Sequence, residues 1–554
     1  RLLNANPYTQ VYGQHERPTR YNYLVGNDRS KWTSNAASFE TLYYDDVYCD
    51  IDMRYYSEKG RMKYEWIVAP QVNPDVIRMS YEGLTRMYVD NDNLHLETSV
   101  NEIWEMKPYA YQVVNGEKVE VTSRYVLNGN TVTYAFPDGY DECVPLIIDP
   151  ILIFSAYSGS TLDNWGNTAT YDERGNVYSG GIVQGAIGFP GYPITTGAYQ
   201  MDYAGGAWDV GILKYDSSGS KLLYCTYLGG AGTETPQSLV VNDAGELLIL
   251  GATSSPNFPV TNGTEFNGGT TIDPLGGVPY TNGTDIFVAK LSPDGDALLG
   301  ATYLGGTSND GVNFVSGAML TFVKVESVLA RNYGDQLRGD VLTDADGYVY
   351  IASSTSSADF PRPGFAALNT YSGGTHDAVL VKLTPDLNDI AWCRFIGGTE
   401  TDAAYSVKLD SENNVFIAGG SDSPTIPGII SGYKSTNTGN IDGWVMSFTK
   451  DGDHLSGTFL GTTQYDQAYF IDLNSEDEVF VFGQTLGTYV SGSTGRQFVH
   501  KLDHTLTTSH WARVIGPGTI SPTAFLVSDC GYIYLSGWGG AVNATSVNTG
   551  SGIL

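Results

Sequence analysis

Acidic side chains recur four or five positions after a repeated glycine, and carboxylates in such a pattern could bind a cation. They are Asp163, Glu234, Asp310, Asp402 and Asp466. If the repeats surround an axis, this spacing would gather the carboxylates around one mouth of a central channel, as a site for a cation or an amine. In the alternative, each acid accepts hydrogen bonds from N–H groups of its own loop.

A second acidic pattern is typical of calcium loops. Asp344 and Asp346, like Asp451 and Asp453, place carboxylates two positions apart next to a glycine. Neither pair continues to the further acidic ligand that would complete six or more oxygens, and aspartate with glycine also forms ordinary turns. We therefore predict no obligatory cofactor, with calcium at Asp344 and Asp346 as the one candidate.

Catalytic groups do not converge in the sequence. The seven histidines show no metal-ligand spacing with cysteines, carboxylates or one another. No nucleophile with a partner base emerges either. We predict no catalytic residue, and no hydrolysis of common polysaccharides or peptides.

The repeated glycine belongs to a motif whose clearest copy is Tyr303-Leu304-Gly305-Gly306, and five weaker copies exist. Each unit, for example residues 339–395, contains four apolar segments separated by glycine, asparagine or proline turns. Such units predict four antiparallel strands each, which is the pattern of a β-propeller blade. We predict an all-β protein with a propeller of six or seven four-stranded blades over residues 151–554.

Residues 1–150 lack the repeat and are predicted to form a separate, β-rich, sandwich-like domain. Residues 47–56 and 62–68 are rich in β-branched and aromatic residues, and the polar stretch between them predicts a hairpin. Asn115-Gly116 predicts a second tight turn. Residues 74–77 give the only helical hint, and Pro150 closes the domain.

Composition limits the partners. The 554 residues exceed what one core usually serves, and 61 acidic against 30 basic side chains give a net charge of −31. This charge would repel nucleic acid and anionic lipid. No apolar run approaches the roughly 20 residues that span a bilayer, and Arg1 begins no leader pattern. We expect a soluble, processed protein with no nucleic-acid partner and no transmembrane segment.

The five cysteines are too few and too scattered for a disulfide framework or a zinc site. Cys225 and Cys393 occupy the same place in different repeats and should not meet. Cys49 with Cys143 is the only plausible pair, and buried free thiols are the favoured alternative.

Two irregular stretches lead to predictions about packing and closure. Residues 307–339 form the longest insertion, for which we expect a helix or an extra hairpin against one rim, serving as packing or as a partner-binding flap. Residues 152–159 match a fourth strand that arrives before any first strand, so we expect them to complete the last blade. The last blade would still lack a third strand, and we expect the natural protein to continue beyond Leu554.

The repeat has a family signature. The string Tyr-Leu-Gly-Gly, Asp-x-x-Gly-x-Val-Tyr, Ser-Ser-x-x-Phe-Pro and Asp-x-Phe-Val-x-Lys-Leu resembles the SBBP repeat of bacterial β-propellers, over residues 151–554. Residues 21–28, 107–111 and 146–150 resemble the domain that precedes this repeat in Bacteroidota surface proteins, and residues 521–540 resemble the last blade of gliding-motility-associated members. The later repeats depart from the pattern at Thr462, Pro517 and Arg496-Gln497-Phe498.

The resemblance implies a secreted or cell-surface protein that is exported by, or associated with, the type 9 secretion and gliding machinery. We expect a non-enzymatic binding or assembly module on the outer surface, with other surface or secretion-system proteins as partners. An adhesin or glycan-binding protein is the main alternative, because tyrosine and tryptophan offer stacking surfaces for sugars. A polysaccharide-degrading enzyme is the third, although no repeat carries the Ser-x-Asp-x-Gly-x-Thr-Trp turn of sialidase-type propellers.

Overall fold

The computed structural model shows an all-β chain, as the sequence predicted. It describes residues 1–538 except 24–32, 59–60, 82, 91, 98–101, 106, 115, 150–151, 156–163, 186–190, 218, 220, 275–278, 315–328, 333, 364–369, 494, 517–520 and 529–531. Within that part of the chain, no helix is long and apolar enough to cross a membrane. The chain forms two compact units: one contains residues 1–159, 173–177 and 215–223, and the other contains the remaining residues.

The first unit is built from three antiparallel sheets. Their orders are β1-β2-β3-β4-β13-β9-β10, β11-β12-β5 and β14-β8-β7-β6. The strands are β1 (Gln10–Tyr23), β2 (Thr33–Tyr48), β3 (Ile51–Glu58), β4 (Arg61–Val68), β5 (Met79–Ser80), β6 (Arg86–Asp90), β7 (Asn93–Glu97), β8 (Glu102–Glu105), β9 (Tyr109–Val114), β10 (Glu117–Val121), β11 (Arg124–Asn128), β12 (Thr131–Ala135), β13 (Leu146–Asp149) and β14 (Leu152–Ser155).

The local predictions for this unit are largely confirmed. β3 and β4 form the expected hairpin, β9 pairs with β10 across the Asn-Gly position, and Pro74–Val76 is a 3-10 turn. The predicted strand over residues 47–56 is wrong in one respect, because it is two strands joined by a tight turn. Tyr48 pairs with Ile51, and Asp50 between them has a φ of 59°. Aspartate tolerates this left-handed conformation better than most residues, so Asp50 is a suitable residue for the turn.

The core of the first unit surrounds Trp66, which is fully buried on β4. Alternate residues of β3 and β4 face this core, since Ile51, Met53 and Val68 are also buried.

The prediction that residues 152–159 complete the last blade is wrong for the part that the structure describes. β14 pairs residue by residue with β8 of the first unit, from Leu152 opposite Glu105 to Ser155 opposite Glu102. The sequence of β14 resembles a fourth strand, but β8 offers a nearer edge in the chain. Residues 156–159 lie outside the described residues.

The second unit repeats one antiparallel meander. Five four-stranded sheets follow one another in chain order, and a two-stranded sheet comes after them. The strands are β15 (Asn164–Tyr171), β16 (Val177–Val183), β17 (Asp209–Tyr215), β18 (Leu222–Leu228), β19 (Glu234–Val241), β20 (Leu247–Thr253), β21 (Asp285–Leu291), β22 (Leu298–Leu304), β23 (Asp340–Thr343), β24 (Val349–Thr355), β25 (Asp377–Leu383), β26 (Ile390–Ile396), β27 (Asp402–Leu409), β28 (Val415–Ser421), β29 (Asp442–Phe448), β30 (His454–Leu460), β31 (Asp466–Leu473), β32 (Val479–Thr485), β33 (Gln497–Leu502), β34 (Ser509–Ile515), β35 (Ser521–Val527) and β36 (Ile533–Trp538).

The sheets stack in the manner of propeller blades. The first strand of each sheet contacts the first strand of the next, in the series β15, β19, β23, β27, β31 and β35. Four of the second strands, β20, β24, β28 and β32, are buried along their whole length. A strand is buried on both faces only if its sheet packs face to face between two other sheets. Because the first strands contact one another in succession, they form the inner edge of the stack of sheets. The unit is therefore β-propeller-like.

The turn between first and second strands explains the recurring glycine or asparagine. Gly245 and Gly347 have positive φ there, and Asn413 and Asp477 take the same role with φ of 64° and 58°. These residue types occupy the left-handed region at the lowest cost.

The last part of the long insertion packs against first strands of the second unit. We call residues 329–332 and 334–339 the axial segment, because they contact the first strands of several sheets. Leu329 packs against Tyr405 of β27 and Tyr469 of β31. The segment contains the 3-10 turn Asp335–Leu337, and most of the predicted helix or hairpin falls on residues 315–328, outside the described part.

The axial segment also makes a buried polar network. The Arg338 guanidinium donates to Asp335 at 2.8 Å and to the Pro522 carbonyl at 2.9 Å. It lies 4.3 Å from the ring centroid of Tyr469, whose hydroxyl donates to Asp335. Asp335 is fully buried, so its charge depends on these partners.

No disulfide joins the four cysteines in the described part of the chain. Cys225 and Cys393 are buried, whereas Cys49 and Cys143 are exposed and do not form the pair that the sequence allowed. Cys530 lies outside the described residues.

Arg338→Ala should destabilise the protein by about 3–5 kcal/mol, because it leaves the buried Asp335 carboxylate without its cation. Arg331→Ala is the matched control, since Arg331 belongs to the same segment but is exposed, and its loss should cost less than about 1 kcal/mol. Calorimetric unfolding of both variants checks this. If the two substitutions lowered the free energy of unfolding equally, Arg338 would contribute no more to stability than an exposed arginine.

Candidate functional site

Buried carboxylates meet in pairs where one sheet joins the next. We call the place where the third strand of a sheet meets the first strand of the following sheet a junction. At the first four junctions the pairs are Asp209–Glu234, Asp285–Asp310, Asp377–Asp402 and Asp442–Asp466, all with no exposed surface. At the fifth junction Gln497 and Ser521 begin the corresponding strands. The sequence pattern contained only the second member of each pair; the first is the Asp that opens the third strand.

Four acids of the predicted ring occupy one repeated position. Their partners across the sheet are the last residues of the second strands, for example Thr253 opposite Glu234 and Ser421 opposite Asp402. Each accepts a hydrogen bond of 2.6–3.0 Å from a backbone N–H at the second glycine position of the motif. The donors are Gly230, Gly306, Gly398 and Thr462. The acids therefore hold their own loops, which is the alternative that the sequence left open. Asp163 lies outside the described residues.

Hydroxyl groups of the following hairpin complete these bonds. Ser255 and Thr253 donate to Glu234, and Ser357 and Thr355 donate to Asp310. Each acid thus joins the end of one sheet to the second strand of the next. The bonds connect three chain segments at one carboxylate.

The Gly-Gly of the repeat has a steric reason. A Cβ on Gly397 would lie 2.7 Å from Oδ1 of Asp377 and 2.8 Å from Oδ2 of Asp402. A Cβ on Gly398 would meet the Ser423 side chain at 2.6 Å. The first glycine makes room for the carboxylate pair, and the second makes room for the serine that binds it.

Burial raises the pKa of these carboxyl groups. It raises the pKa of Asp209, Asp310 and Asp377 to about 8 and that of Asp402 to about 7, mainly by desolvation. Repulsion from the neighbouring acid adds to the effect at Asp209, Asp310 and Asp377. Near neutral pH a pair therefore resists carrying two charges.

Some carboxylate oxygens of the pairs have no hydrogen-bond partner among the described residues. They are Oδ1 of Asp209, Asp377 and Asp442. Such orphaned buried acceptors are costly unless a proton or a cation satisfies them.

The calcium candidate forms a turn. Oδ1 of Asp344 accepts from the N–H groups of Asp346 and Tyr348, and Oδ2 accepts from the Tyr350 hydroxyl at 3.0 Å. Lys382 lies 4.0 Å from Oδ2. Both oxygens of Asp344 thus have partners within the protein, which is the turn alternative of the sequence analysis.

A serine–histidine contact was not anticipated. Nε2 of His500 lies 2.8 Å from the Ser509 hydroxyl, and Nδ1 lies 2.8 Å from the Tyr489 hydroxyl. His500 is buried, and desolvation lowers its pKa to about 4. A histidine with so low a pKa is a weak base, and both of its nitrogens are occupied, so the contact fits a packing role best.

A polar cavity of about 660 Å³ lies beside the fourth junction. Two of its lining residues, Thr462 and Arg496, are positions at which the sequence departs from the repeat. Lys434 lines the same cavity and donates to Oδ2 of Asp442 at 2.7 Å and to the Gly461 carbonyl at 2.8 Å. The remaining lining residues are Thr438, Gly461, Thr463, Gln464, Leu486, Gly487, Thr488 and Tyr489. The cavity offers cationic and hydroxyl donors in an acidic protein.

Arg496 has a defined position in this cavity. Its NH1 group donates to the carbonyls of Leu486 and Gly487, and among the described residues no carboxylate lies within ion-pair distance of its guanidinium. A guanidinium that is held by carbonyls retains its full positive charge for an anionic or hydroxylated ligand.

The comparisons with known proteins cover the first unit best. Residues 1–151 match the family model of a domain of unknown function, DUF7948. No curated protein matches the chain.

Several solved structures share features with the chain at low similarity. A protein of unknown function from Dyadobacter fermentans is 10% identical, with 66% of this chain and 86% of that chain covered and a TM-score of 0.33. The NanB sialidase from Streptococcus pneumoniae is 9% identical, with 90% and 84% covered and a TM-score of 0.35. A polysaccharide lyase of family PL25, an ulvan lyase, is 13% identical, with 68% and 79% covered and a TM-score of 0.36. These values are too low to transfer an activity.

Gly397→Ala should destabilise the protein by about 1–3 kcal/mol, because the new Cβ would displace Asp377 or Asp402 from the junction. Gly166→Ala is the control, since a Cβ there would meet open space. Thermal unfolding compares the two. An unchanged Tm for Gly397→Ala would mean that the junction has room that the structure does not show.

The carboxylate pairs should make the protein less stable as the pH rises. The folded state holds a proton on Asp377, whose pKa is about 8, and the unfolded chain releases it near pH 4. The contribution of Asp377 to the free energy of unfolding therefore decreases as the pH rises from about 4 to about 8. Asp377→Asn cannot ionise, so its Tm should fall less than that of the wild type across this range.

Asp243 is exposed, so Asp243→Asn is the control for this pH series. It should show the same dependence of Tm on pH as the wild type. A Tm that falls equally in Asp377→Asn and the wild type would exclude Asp377 as the source.

Proposed function

We propose that this chain is a non-catalytic binding and assembly module of the β-propeller type, and that the cavity around Arg496 is its ligand site. The cavity is the observation that carries the proposal. Its polar groups, Lys434 and Arg496 with four threonine side chains, stand at a place where the sequence departs from the repeat. A scaffold that keeps one pattern elsewhere and changes it around a cavity has the layout of a specific binding site.

The junction acids support a binding role over a catalytic one. An acid–base catalyst needs carboxyl groups that can reach a substrate. Glu234, Asp310, Asp402 and Asp466 have no exposed surface, and each accepts an N–H bond from its own loop. The acids that the repeat supplies therefore serve the scaffold.

The proposed location is outside the cell, at the outer surface, with export by or association with the type 9 secretion and gliding machinery. This part rests on the SBBP-type repeat in residues 151–554 and on the Bacteroidota-type sequence before it. The natural partners would then be other surface or secretion-system proteins. The net charge of −31 agrees with a module that avoids nucleic acid.

A glycan-binding adhesin is the second candidate, and one observation favours it. The threonines at positions 438, 462, 463 and 488 surround the cavity with hydroxyl groups, which suit a ligand that carries many hydroxyls. Arg496 would add specificity for an acidic sugar through paired N–H donors.

Arg496→Ala should weaken ligand binding at least about tenfold, which corresponds to the loss of a hydrogen bond to a charged group. Arg513→Ala is the matched control, because Arg513 lies exposed in the same sheet, on β34. A glycan array, together with affinity capture from native outer membranes followed by mass spectrometry, would identify the ligand to be measured.

A sugar-release assay runs in parallel and separates the three functions. Binding to glycans without release would support the adhesin, capture of surface proteins without glycan binding would support the assembly role, and release of sugars would overturn both. Equal binding by Arg496→Ala and the wild type would remove the cavity from the proposal.

A further inference from the structure

The fourth junction contains a cation that belongs to the chain itself. The Lys434 ammonium contacts Oδ2 of Asp442 and the carbonyl of Gly461, and only about a fifth of its side chain is exposed. Asp442 and Asp466 form the carboxylate pair of this junction. One positive charge therefore lies against Asp442, the first member of this pair.

The first junction has the same backbone but no such cation. The N–H of Gln200 donates to Thr226 and its carbonyl accepts from Tyr227, as the N–H of Lys434 donates to Thr458 and its carbonyl accepts from Phe459. Four positions later, the N–H groups of Ala204 and Thr438 donate to Asp209 and Asp442. Gln200 thus occupies the position of Lys434.

The carboxylates of the first junction converge on one point. Oδ1 of Asp209 and Oε2 of Glu234 each lie 2.7 Å from the position that a Cβ on Gly229 would take. Oδ1 of Asp209 has no hydrogen-bond partner among the described residues, and no ion pair there reaches Asp209 or Glu234. Both side chains are fully buried.

Gln200 supplies an oxygen where Lys434 supplies a nitrogen. Its amide Oε1 accepts the N–H of Gly229 at 3.1 Å, so this oxygen lies at the same loop as the carboxylates. The glutamine side chain is half-buried, which leaves a route from solvent. Exchange of an ammonium for an amide oxygen removes a positive charge and adds a ligand for one.

We propose that the first junction binds a hard metal cation between Asp209 and Glu234, because this junction lacks a counterpart of the Lys434 ammonium and leaves Oδ1 of Asp209 without a partner. Carboxylate and amide oxygens are the ligands that calcium and similar hard cations prefer. The cation satisfies the orphaned Oδ1 of Asp209 and offsets the repulsion between the two acids. The second junction differs, because both oxygens of Asp285 accept N–H bonds.

The test uses the full chain, freed of metals with a chelator and kept in choline chloride at about pH 8, so that protons compete less with the cation for the carboxylates. Calcium chloride or sodium chloride is added while Tm is recorded, and bound calcium is counted by equilibrium dialysis. The wild type should gain at least about 2 °C with one of the two cations.

Gln200→Lys is the decisive variant, because it places an ammonium in the first junction. It should be more stable than the wild type without metal and should no longer respond to the cation. Asp209→Asn is the second variant; its amide oxygen still accepts the Ala204 N–H, and it should lose the response as well. The reciprocal Lys434→Gln should gain a response at the fourth junction.

The outcomes are clear-cut. A wild type whose Tm is the same in choline, sodium and calcium overturns the proposal and leaves a shared proton as the group that satisfies the pair. A Gln200→Lys variant that responds to the cation as the wild type does also overturns it, because the response then arises elsewhere. None of these results depends on the ligand of the Arg496 cavity.

Discussion

The structure of the second unit depends on one interaction, the hydrogen bond from a glycine N–H to a buried carboxylate. Removing a carboxylate from water is costly. The cost is tolerated at Glu234 because the acid accepts an N–H from the loop before it and two hydroxyl groups from the end of the second strand. At the first three junctions the same bond selects two successive glycines, since a side chain on either would fill the space of the acid or of its serine partner. Sheets made of apolar strands would otherwise slide over one another, whereas a buried polar contact fixes their relative position.

The cavity lies where the hydrogen bond between the motif glycine and the buried carboxylate is altered. At the fourth junction Thr462 replaces the second glycine and donates to Asp466 with both its N–H and its hydroxyl. At the next junction Gln497 replaces the opening acid, and Arg496 precedes it. Where fewer carboxylates need to be satisfied, the chain has freedom to present Lys434 and Arg496 to a cavity. The site thus arises from departures within an otherwise fixed scaffold.

Much of the fold could be predicted from the sequence because it depends on local periodicity. Alternating apolar residues, Asn-Gly and the Gly-Gly motif specify strands and turns within a few residues, so the four-stranded units and the β3–β4 hairpin were predictable. The pairing of β14 with β8 was not, because its sequence also fits a fourth strand and only the nearest free edge decides. Only one member of each acid pair could be predicted, because the repeat reveals Glu234 and its equivalents. Their burial, and their pairing with Asp209 and its equivalents, depend on contacts between sheets. The exchange of Gln200 for Lys434 became visible only through matching backbone bonds.

The axial segment changes how the sheets depend on one another. A chain of similar units that touch only their neighbours unfolds in steps, beginning at an end. The axial segment connects sheets that are not neighbours, because Asn332 donates to Gln484 of β32 and Arg338 donates to the Pro522 carbonyl of β35. A sheet at the end of the series cannot separate without breaking bonds that begin near its middle. The unit should accordingly resist forces that pull on one end and unfold in a single cooperative transition.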